Sequence, residues 1–121
     1  MPRVIHFEIP ADDPKRAVSF YEQAFGWKIS KWEGPQDYWL ASTGEQGQPG
    51  IDGAITSRSS LQTICNTIDV PSIDDACRKV AEAGGKVLTP VMAIPGVGRM
   101  AYCVDTEGNQ FGIMQADPTA H

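Results

Sequence analysis

Residues Val4–Trp27, VIHFEIPADDPKRAVSFYEQAFGW, decide the fold class of this chain. The opening VIHFEI mixes β-branched and aromatic residues with polar ones in near alternation, which predicts a half-buried strand. Because side chains alternate between the two faces of a strand, His6 and Glu8 share one face and Phe7 and Ile9 share the other. We expect the apolar face to lie against a helix.

That helix is predicted to start at Asp13-Pro14, because Asp is a good N-cap and Pro suits the first helical position. Apolar residues then recur at intervals of three and four from Ala17 to Phe25. Gly26 is the expected C-terminal stop. Three strand-like runs separated by turn-rich segments follow. They are Trp27–Trp32, Asp37–Ser42 and Ile51–Ser57.

The second half of the chain repeats this order of elements. Gln62–Asp69 has a strand pattern, and Ser72 caps a predicted helix that ends at Gly84-Gly85. Three strand-like runs follow again, with Asp105–Asn109 as a hairpin turn. They are Lys86–Met92, Arg99–Val104 and Gln110–Gln115.

A constant offset superimposes the two halves on each other. Ala17 lies 59 positions before Ala76, and Gly53 lies 59 positions before Gly112. One gapless offset that spans both a helix and a final strand favours a true repeat over an unrelated α+β sandwich with coincidental spacing. We therefore predict a single α+β domain over residues 1–121, built from two βαβββ modules in tandem at 1–59 and 60–121.

A βαβββ module is too small to bury a good core alone, so we expect the two to pair as a curved mixed sheet around a cleft, with each helix on the outer face. The period of two then assigns side chains to the cleft. A mixed lining with few polar groups is typical of a small-molecule site. The predicted lining consists of His6, Glu8, Asp52, Ala54, Thr56, Cys65, Thr67, Asp69, Phe111, Ile113 and Gln115.

Composition excludes several other classes of protein. A net charge of −5 and a pI near 4.8 disfavour a nucleic-acid-binding protein, because affinity for phosphates needs clustered Lys and Arg. No apolar run approaches the ~20 residues that cross a bilayer, and no signal peptide is visible, so we expect no membrane partner and a cytoplasmic location. The three cysteines form no close pair and are expected to be reduced thiols.

The chain resembles the vicinal oxygen chelate superfamily, which includes glyoxalase I, extradiol dioxygenases, epimerases and metal-free bleomycin-binding proteins. Small bacterial proteins related to lactoylglutathione lyase are especially similar to it. The resemblance extends over nearly the whole chain and implies a homodimer. It rests on Val4–Trp27, on PGIDG at 49–53, on VPSIDDACRKVAEAGGKV at 70–87 and on IPGVGRMAYCVDTEGNQFGIMQ at 94–115.

The resemblance also implies a divalent metal (Zn, Ni, Mn or Fe) held by one side chain from the first and last strand of each module. Those positions fall on His6, Thr56, Cys65 and Gln115. His6 matches the family outright and Gln115 is tolerated in some members, whereas Thr56 and Cys65 depart from the pattern. With a metal as Lewis acid, Glu8 is the predicted second ligand or catalytic base.

Two functions remain open at this point. The first is a glyoxalase-like lyase or isomerase that acts on a small oxygenated metabolite, with a metal held by His6 and Gln115 and with Glu8 as the base. The second is a metal-free small-molecule binding protein, in which His6 is a hydrogen-bonded strand residue and Glu8 pairs with a cation such as Arg99. The other predicted ligand contacts are Asp52, Thr56, Cys65, Thr67, Phe111 and Ile113. The four aromatic residues Trp27, Trp32, Tyr38 and Trp39 are expected to be core or dimer contacts, or to stack on a ligand.

Overall fold

A computed structural model describes residues 2–59 and 61–121 of the chain. These residues form two compact units. The first unit is His6–Cys65, and the second unit combines residues 2–5 with Asn66–His121. None of the helices in the described part of the chain is long and apolar enough to span a bilayer.

The elements follow the predicted α+β order, with one strand and one helix before a set of strands in each half. In the first half they are β1 (Val4–Ala11), α1 (Pro14–Phe25), β2 (Lys28–Lys31), β3 (Tyr38–Ser42) and β4 (Asp52–Ser57). In the second half they are β5 (Cys65–Asp69), α2 (Ile73–Glu82), β6 (Lys86–Val87), β7 (Met92–Ile94), β8 (Gly98–Val104) and β9 (Gln110–Ala116).

Both predicted helix starts are present. The Asp13 side chain accepts a hydrogen bond from the backbone N–H of Arg16 at 3.2 Å, and the Ser72 hydroxyl accepts one from the N–H of Asp75 at 3.2 Å. Gly26 ends α1 in the left-handed region, with φ of 73°. Local capping signals in the sequence therefore fix where each helix begins and where α1 ends.

The two units share one strand order. In the first unit the order is β2-β3-β4-β1, with β1 parallel to β4 and the other pairs antiparallel. In the second unit the order is β6-β8-β9-β5, with β5 parallel to β9 and with the extra strand β7 beside β8. The prediction of two modules with the same topology is confirmed at this level.

One predicted strand is divided. Lys86–Met92 forms the whole of β6 and the first residue of β7 instead of a continuous strand, and Pro90 lies in the break. Proline has no N–H for a ladder, and Thr89 turns its hydroxyl oxygen to the backbone N–H of Tyr102 at 3.0 Å. The chain crosses the break before it rejoins β8.

The predicted facing of β9 is wrong by one residue. Phe111 and Ile113 pack in a core with Ile73 and Val80 of α2, so they lie on the helix side of the second unit. The other face carries Gly112, whose Cα hydrogen points towards Thr67, Tyr102 and Met100. Tyr102, whose face the sequence does not determine, lies there as well.

Parallel pairing shows the reason for this slip. His6 in β1 lies opposite Asp52, which is 46 positions further along the chain, whereas Asn66 in β5 lies opposite Phe111, which is 45 positions further along. The first module has a long connection, 43–51, before its last strand, and the second module has the extra strand β7. These two differences in the number of residues nearly cancel, but one residue remains. A constant offset of 59 therefore matches the two final strands in the wrong phase.

Candidate functional site

A hydrogen-bonded pair, His6 and Tyr38, marks the polar face of the first unit's sheet. The His6 Nε2 atom lies 2.7 Å from the Tyr38 hydroxyl, and the two rings are stacked at 18° with centroids 6.3 Å apart. The ring of Phe7, the next residue of β1, instead contacts the ring of Trp27, with centroids 5.7 Å apart, and Trp27 stacks on Tyr21 of α1. The prediction that Phe7 faces the helix and that His6 faces away from it is confirmed.

Strand register places four residues of this face in one row across the sheet. Lys28 of β2 lies opposite Ser42 of β3, and Asp52 of β4 lies opposite His6 of β1. Ala41 pairs with Gly53, which brings Ser42 beside Asp52. A second row follows two residues along each strand and consists of Ser30, Leu40, Ala54 and Glu8. The first row is thus entirely polar, and the second row contains both polar and apolar side chains.

The imidazole of His6 is biased towards its neutral form. Burial lowers the pKa of His6 below its usual value, while the negative charges of Glu8 and Asp52 partly oppose this effect. A neutral imidazole next to a phenol has two proton arrangements. Either the Tyr38 O–H donates to Nε2, or an N–H at Nε2 donates to the phenol oxygen.

Glu8 and Thr56 lie on the same face and are buried, at 5% and 4% exposure. The Thr56 hydroxyl donates to the backbone carbonyl of Asp37 at 3.1 Å. Glu8, two residues after His6 in β1, is near enough for its charge to act on the imidazole. The predicted grouping of His6, Glu8 and Thr56 on one face of the first unit therefore holds.

Asp52 is exposed and tied to the loop beside it. One carboxylate oxygen accepts a hydrogen bond from the backbone N–H of Thr43 at 2.9 Å. The Thr43 hydroxyl donates to the Ile51 carbonyl at 2.7 Å and lies 3.3 Å from the same carboxylate oxygen. An open groove of about 300 Å³ passes over this carboxylate and His6. Its lining residues are His6, Lys28, Ser30, Leu40, Ala41, Ser42, Asp52 and Gly53.

The remaining predicted contacts lie elsewhere. Cys65 and Thr67 are buried, at 1% and 4% exposure, and Thr67 lies on the face of the second unit opposite α2. Phe111 and Ile113 are part of the core on the helix side of that unit. The Gln115 side chain also turns to the helix, because its amide oxygen accepts a hydrogen bond from the N–H of Ile73 at the start of α2, at 2.8 Å.

The residues at the four family ligand positions do not fit a divalent metal. His6 Nε2 is bonded to Tyr38, and the amide oxygen of Gln115 is bonded to the first turn of α2. Thr56 offers only a hydroxyl, which is also bonded, and Cys65 is a buried thiol. Within residues 2–59 and 61–121, no group of three or more His, Cys, Asp or Glu side chains is placed to hold a metal ion.

Sequence reasoning missed two residues of this face, Lys28 and Ser42, and it named Tyr38 only as a core or dimer contact or as a ring that stacks on a ligand. The alternation of Tyr38, Leu40 and Ser42 in β3 carries the signal, because these residues share a face. What the sequence did not supply was the register that brings that face beside His6. Of the other three aromatic residues, Trp27 packs on the helix side, Trp32 contacts the Tyr38 ring edge-on at 5.9 Å, and Trp39 lies under Lys31.

Comparison with known proteins adds a family to this geometry. Residues 3–113 match the model of the Glyoxalase/Bleomycin resistance protein/Dioxygenase superfamily. The chain belongs to this superfamily. It is 30% identical to a glyoxylase-like domain-containing protein of Didymella fabae over 118 residues, covering 88% of each chain. It is 28% identical over 114 residues to CFP32, a provisionally assigned glyoxylase of Mycobacterium tuberculosis, and this match covers 92% of the chain but only 43% of CFP32.

Solved structures of the superfamily show the same fold. A methylmalonyl-CoA epimerase in complex with methylmalonyl-CoA and NH4+ superimposes with a TM-score of 0.74 at 12% identity, covering 99% of this chain and 98% of the epimerase. A superfamily member from Vibrio splendidus 12B01 superimposes with a TM-score of 0.68 at 16% identity, covering 97% and 100%. The α+β superfamily fold is therefore confirmed, and at these identities the likeness is one of fold.

Proposed function

We propose that this chain binds a small oxygenated metabolite in the groove of the first unit, without a divalent metal, and that His6 and Tyr38 are its hydrogen-bonding pair. The observation that carries the proposal is the 2.7 Å contact between the His6 imidazole and the Tyr38 hydroxyl on the face where the groove opens. Membership of a superfamily whose solved structures include a complex with a coenzyme A thioester supports a small-molecule ligand.

The pair suits an oxygenated ligand because its two proton arrangements present different groups. When the Tyr38 O–H donates to His6, the phenol oxygen accepts a hydrogen bond from a ligand hydroxyl. When His6 donates, the phenol O–H donates to a ligand carbonyl. Because the pKa of His6 is lowered, both arrangements are available at neutral pH, where a protonated imidazole would allow only the second.

The test is binding of a panel of small hydroxy, oxo and diol compounds, measured by isothermal titration to protein purified with and without chelator. Tyr38→Phe removes the hydroxyl and keeps the ring, so binding should weaken about tenfold, as expected for the loss of one hydrogen bond in a binding site. Tyr21→Phe is the matched control, because its ring stacks on Trp27 beside α1. Equal loss in both variants, or binding that disappears with chelator, would overturn the proposal.

A second candidate function is proton transfer on the bound ligand, as in a glyoxalase-related lyase or isomerase. The burial of Glu8 on the same face and the effect of its charge on His6 favour this candidate. A carboxylate there would take a proton from a carbon next to a carbonyl held by the pair. Exchange of that proton for deuterium in D2O, measured by NMR, should occur with wild type and stop in Glu8→Gln. If a ligand binds but its proton does not exchange, proton transfer is refuted and ligand binding is the only function that remains.

A homodimer is the assembly we propose. Phe20 and Phe25 of α1 are 57% and 65% exposed and contact each other edge-on at 6.4 Å, together with Tyr21. Exposed aromatic residues grouped in this way favour a protein contact. Light scattering should give the mass of two chains for wild type, and Phe20→Ser with Phe25→Ser should shift it towards one; a monomeric wild type would refute the assembly.

A further inference from the structure

The Tyr38 ring, on the polar face of the first unit, contacts two other aromatic rings. It is stacked with His6 at 18°, with centroids 6.3 Å apart. It meets the Trp32 ring edge-on at 73°, with centroids 5.9 Å apart. The backbone N–H of Trp32 also donates to the Tyr38 carbonyl at 2.8 Å, so these two residues face each other across the turn between β2 and β3. The three rings of His6, Tyr38 and Trp32 are therefore connected.

Strand register places Tyr38 far from His6 along the sheet. Tyr38 lies opposite Thr56, and Thr56 lies opposite Pro10 of β1. His6 precedes Pro10 by four positions, which is about 13 Å along a strand. The Tyr38 hydroxyl nevertheless lies 2.7 Å from the His6 imidazole, so the Tyr38 side chain leans along the sheet away from its own row. More than one direction is open to a side chain in a strand, and the register alone does not select this one.

Ala54 occupies the position in the sheet midway between the two side chains. It lies in β4, the strand between β3 and β1, and it is paired with Leu40 and Glu8 in the row between those of Tyr38 and His6. Its methyl group leaves room for the phenol and the imidazole to meet above it. The space for the contact thus comes from β4, whereas the direction of the Tyr38 ring depends on what packs against it.

The Trp32 ring is seated on the backbone of Gly34. A Cβ added at Gly34 would overlap three carbons of the six-membered ring of Trp32. Gly34 does not have a positive φ, so a side chain is disfavoured here by lack of space and not by the backbone conformation. The position of the indole therefore depends on the absence of a side chain at residue 34.

The backbone of the same turn is held by other contacts. The Asp37 carbonyl accepts a hydrogen bond from the Thr56 hydroxyl at 3.1 Å, and the Asp37 carboxylate lies 3.6 Å from the Lys31 ammonium. Neither contact involves the indole. A substitution that moves the Trp32 ring can therefore leave the path of the chain into β3 unchanged.

We propose that Trp32, seated on Gly34, is a positioning residue that holds the Tyr38 hydroxyl on the His6 imidazole. Edge-on packing of aromatic rings is favourable and directional, so the indole selects one direction of the Tyr38 ring. The hydrogen bond at Nε2 influences which ring nitrogen of His6 carries the proton, and His6 lines the groove. The inference rests on the proposed function for its consequence in binding, whereas its geometry is tested without a ligand.

The experiment measures the His6 imidazole directly, by the 15N chemical shifts of its ring nitrogens at neutral pH. The chain has two histidines, His6 and His121, so the signals are readily assigned. Tyr38→Phe defines the shifts for complete loss of the phenol. We expect Trp32→Ala and Gly34→Ala to move the His6 shifts most of the way to the Tyr38→Phe values. Trp32→Phe keeps an aromatic ring and should stay near wild type.

Gly44→Ala is the matched control. Gly44 is also a glycine of a connection between strands without a positive φ, and a Cβ there would lie 2.6 Å from the amide oxygen of Gln48. It should displace that flexible side chain and leave the His6 shifts at their wild-type values. Urea unfolding of each variant checks that the spectra are recorded on folded protein. If Trp32→Ala does not fold, Gly34→Ala decides the test.

Wild-type His6 shifts in Gly34→Ala and in folded Trp32→Ala would overturn the inference, and so would an equal change in Gly44→Ala. For a ligand that binds, Gly34→Ala should weaken binding by up to the about tenfold expected for Tyr38→Phe, although the phenol is still present. If Tyr38→Phe weakens binding but the indole variants leave the His6 shifts unchanged, the inference fails and the proposed function stands. If the shifts change as expected but no compound of the panel binds, the positioning role holds and the proposed function fails.

Discussion

Substitution of Gly53 and Gly112 by alanine tests whether the two glycines face opposite sides of their sheets. In the structure Gly53 of β4 faces the helix side of the first unit, and Gly112 of β9 faces away from the helix in the second unit. A Cβ added at Gly53 would lie 2.5 Å from two ring carbons of Phe7 and 2.5 Å from the Phe7 carbonyl oxygen. The atoms nearest to a Cβ at Gly112 would belong to side chains, with the Thr67 hydroxyl at 3.2 Å and the Tyr102 ring at 3.7 Å. Neither glycine has a positive φ, so steric contact alone separates the two variants.

The expected magnitudes follow from these distances. Overpacking of a core costs about 1–3 kcal/mol, and contact with a backbone oxygen that cannot rotate away places Gly53→Ala near the upper end, about 3 kcal/mol. At Gly112 a contact of a few tenths of an ångström is offset by the reduced freedom of the unfolded chain, so the change should stay within about 1 kcal/mol. For a chain of this size the first value corresponds to a Tm lowered by about 12 °C.

Urea unfolding followed by tryptophan fluorescence gives both free energies of unfolding, with equal slopes as the check on two-state behaviour. A double substitution adds a second test: in a Phe7→Ala background Gly53→Ala should cost less, because one of its two obstacles is gone. The reasoning is refuted if Gly112→Ala destabilises the protein as much as Gly53→Ala, since β4 and β9 would then present their glycines to equally tight surroundings.

Three further predictions concern single side chains. Burial lowers the pKa of His6, so the unfolded chain binds a proton below pH 6.5 that the folded chain binds only at lower pH. The free energy of unfolding should therefore fall as the pH drops from about 6.5. In urea titrations His6→Asn should reduce this dependence on pH, and an unchanged dependence would contradict the prediction. Gln115→Ala should lose about 1 kcal/mol of stability by removing the acceptor for the Ile73 N–H, whereas Gln115→Glu should keep it, and equal effects would exclude a role in capping. Burial raises the pKa of the Cys103 thiol to about 11, so Cys103 should resist Ellman's reagent at pH 8 until urea unfolds the chain. The partly exposed Cys77 should react earlier, and early reaction of both thiols would contradict the prediction.

How much of the fold could be predicted is clearest in the first module. The strand VIHFEI alternates from Ile5 to Ile9, so the faces of His6 and Phe7 follow from the period of two alone. Asp13 and Gly26 fixed α1 because capping is a local interaction. These features depend on residues close in sequence, which is why one chain was enough to predict them.

Features that depend on loop length could not be predicted in this way. The face of β9 depends on how many residues separate it from β5, and the constant spacing of Gly53 and Gly112 concealed a difference of one. The role of Tyr38 depended on the register between β3 and β4, which pairs Tyr38 with Thr56. Gln115 was assigned as a metal ligand from its place in the family pattern, but the start of α2 lies within reach of its amide and takes the oxygen.

The start of β3 explains why we favour ligand binding over metal chemistry in the first unit. Asp37 and Tyr38 are consecutive, and they bond to two of the three family ligand positions in this unit: the Asp37 carbonyl accepts from Thr56, and the Tyr38 hydroxyl bonds to His6. A metal at these two positions would have to displace the phenol from Nε2, and the threonine hydroxyl beside it is a weak ligand for zinc or nickel. A ligand oxygen needs neither exchange, because a phenol oxygen already bonded to imidazole still accepts or donates in the other direction. The same short segment that occupies the metal positions therefore supplies a group suited to a hydroxyl or carbonyl.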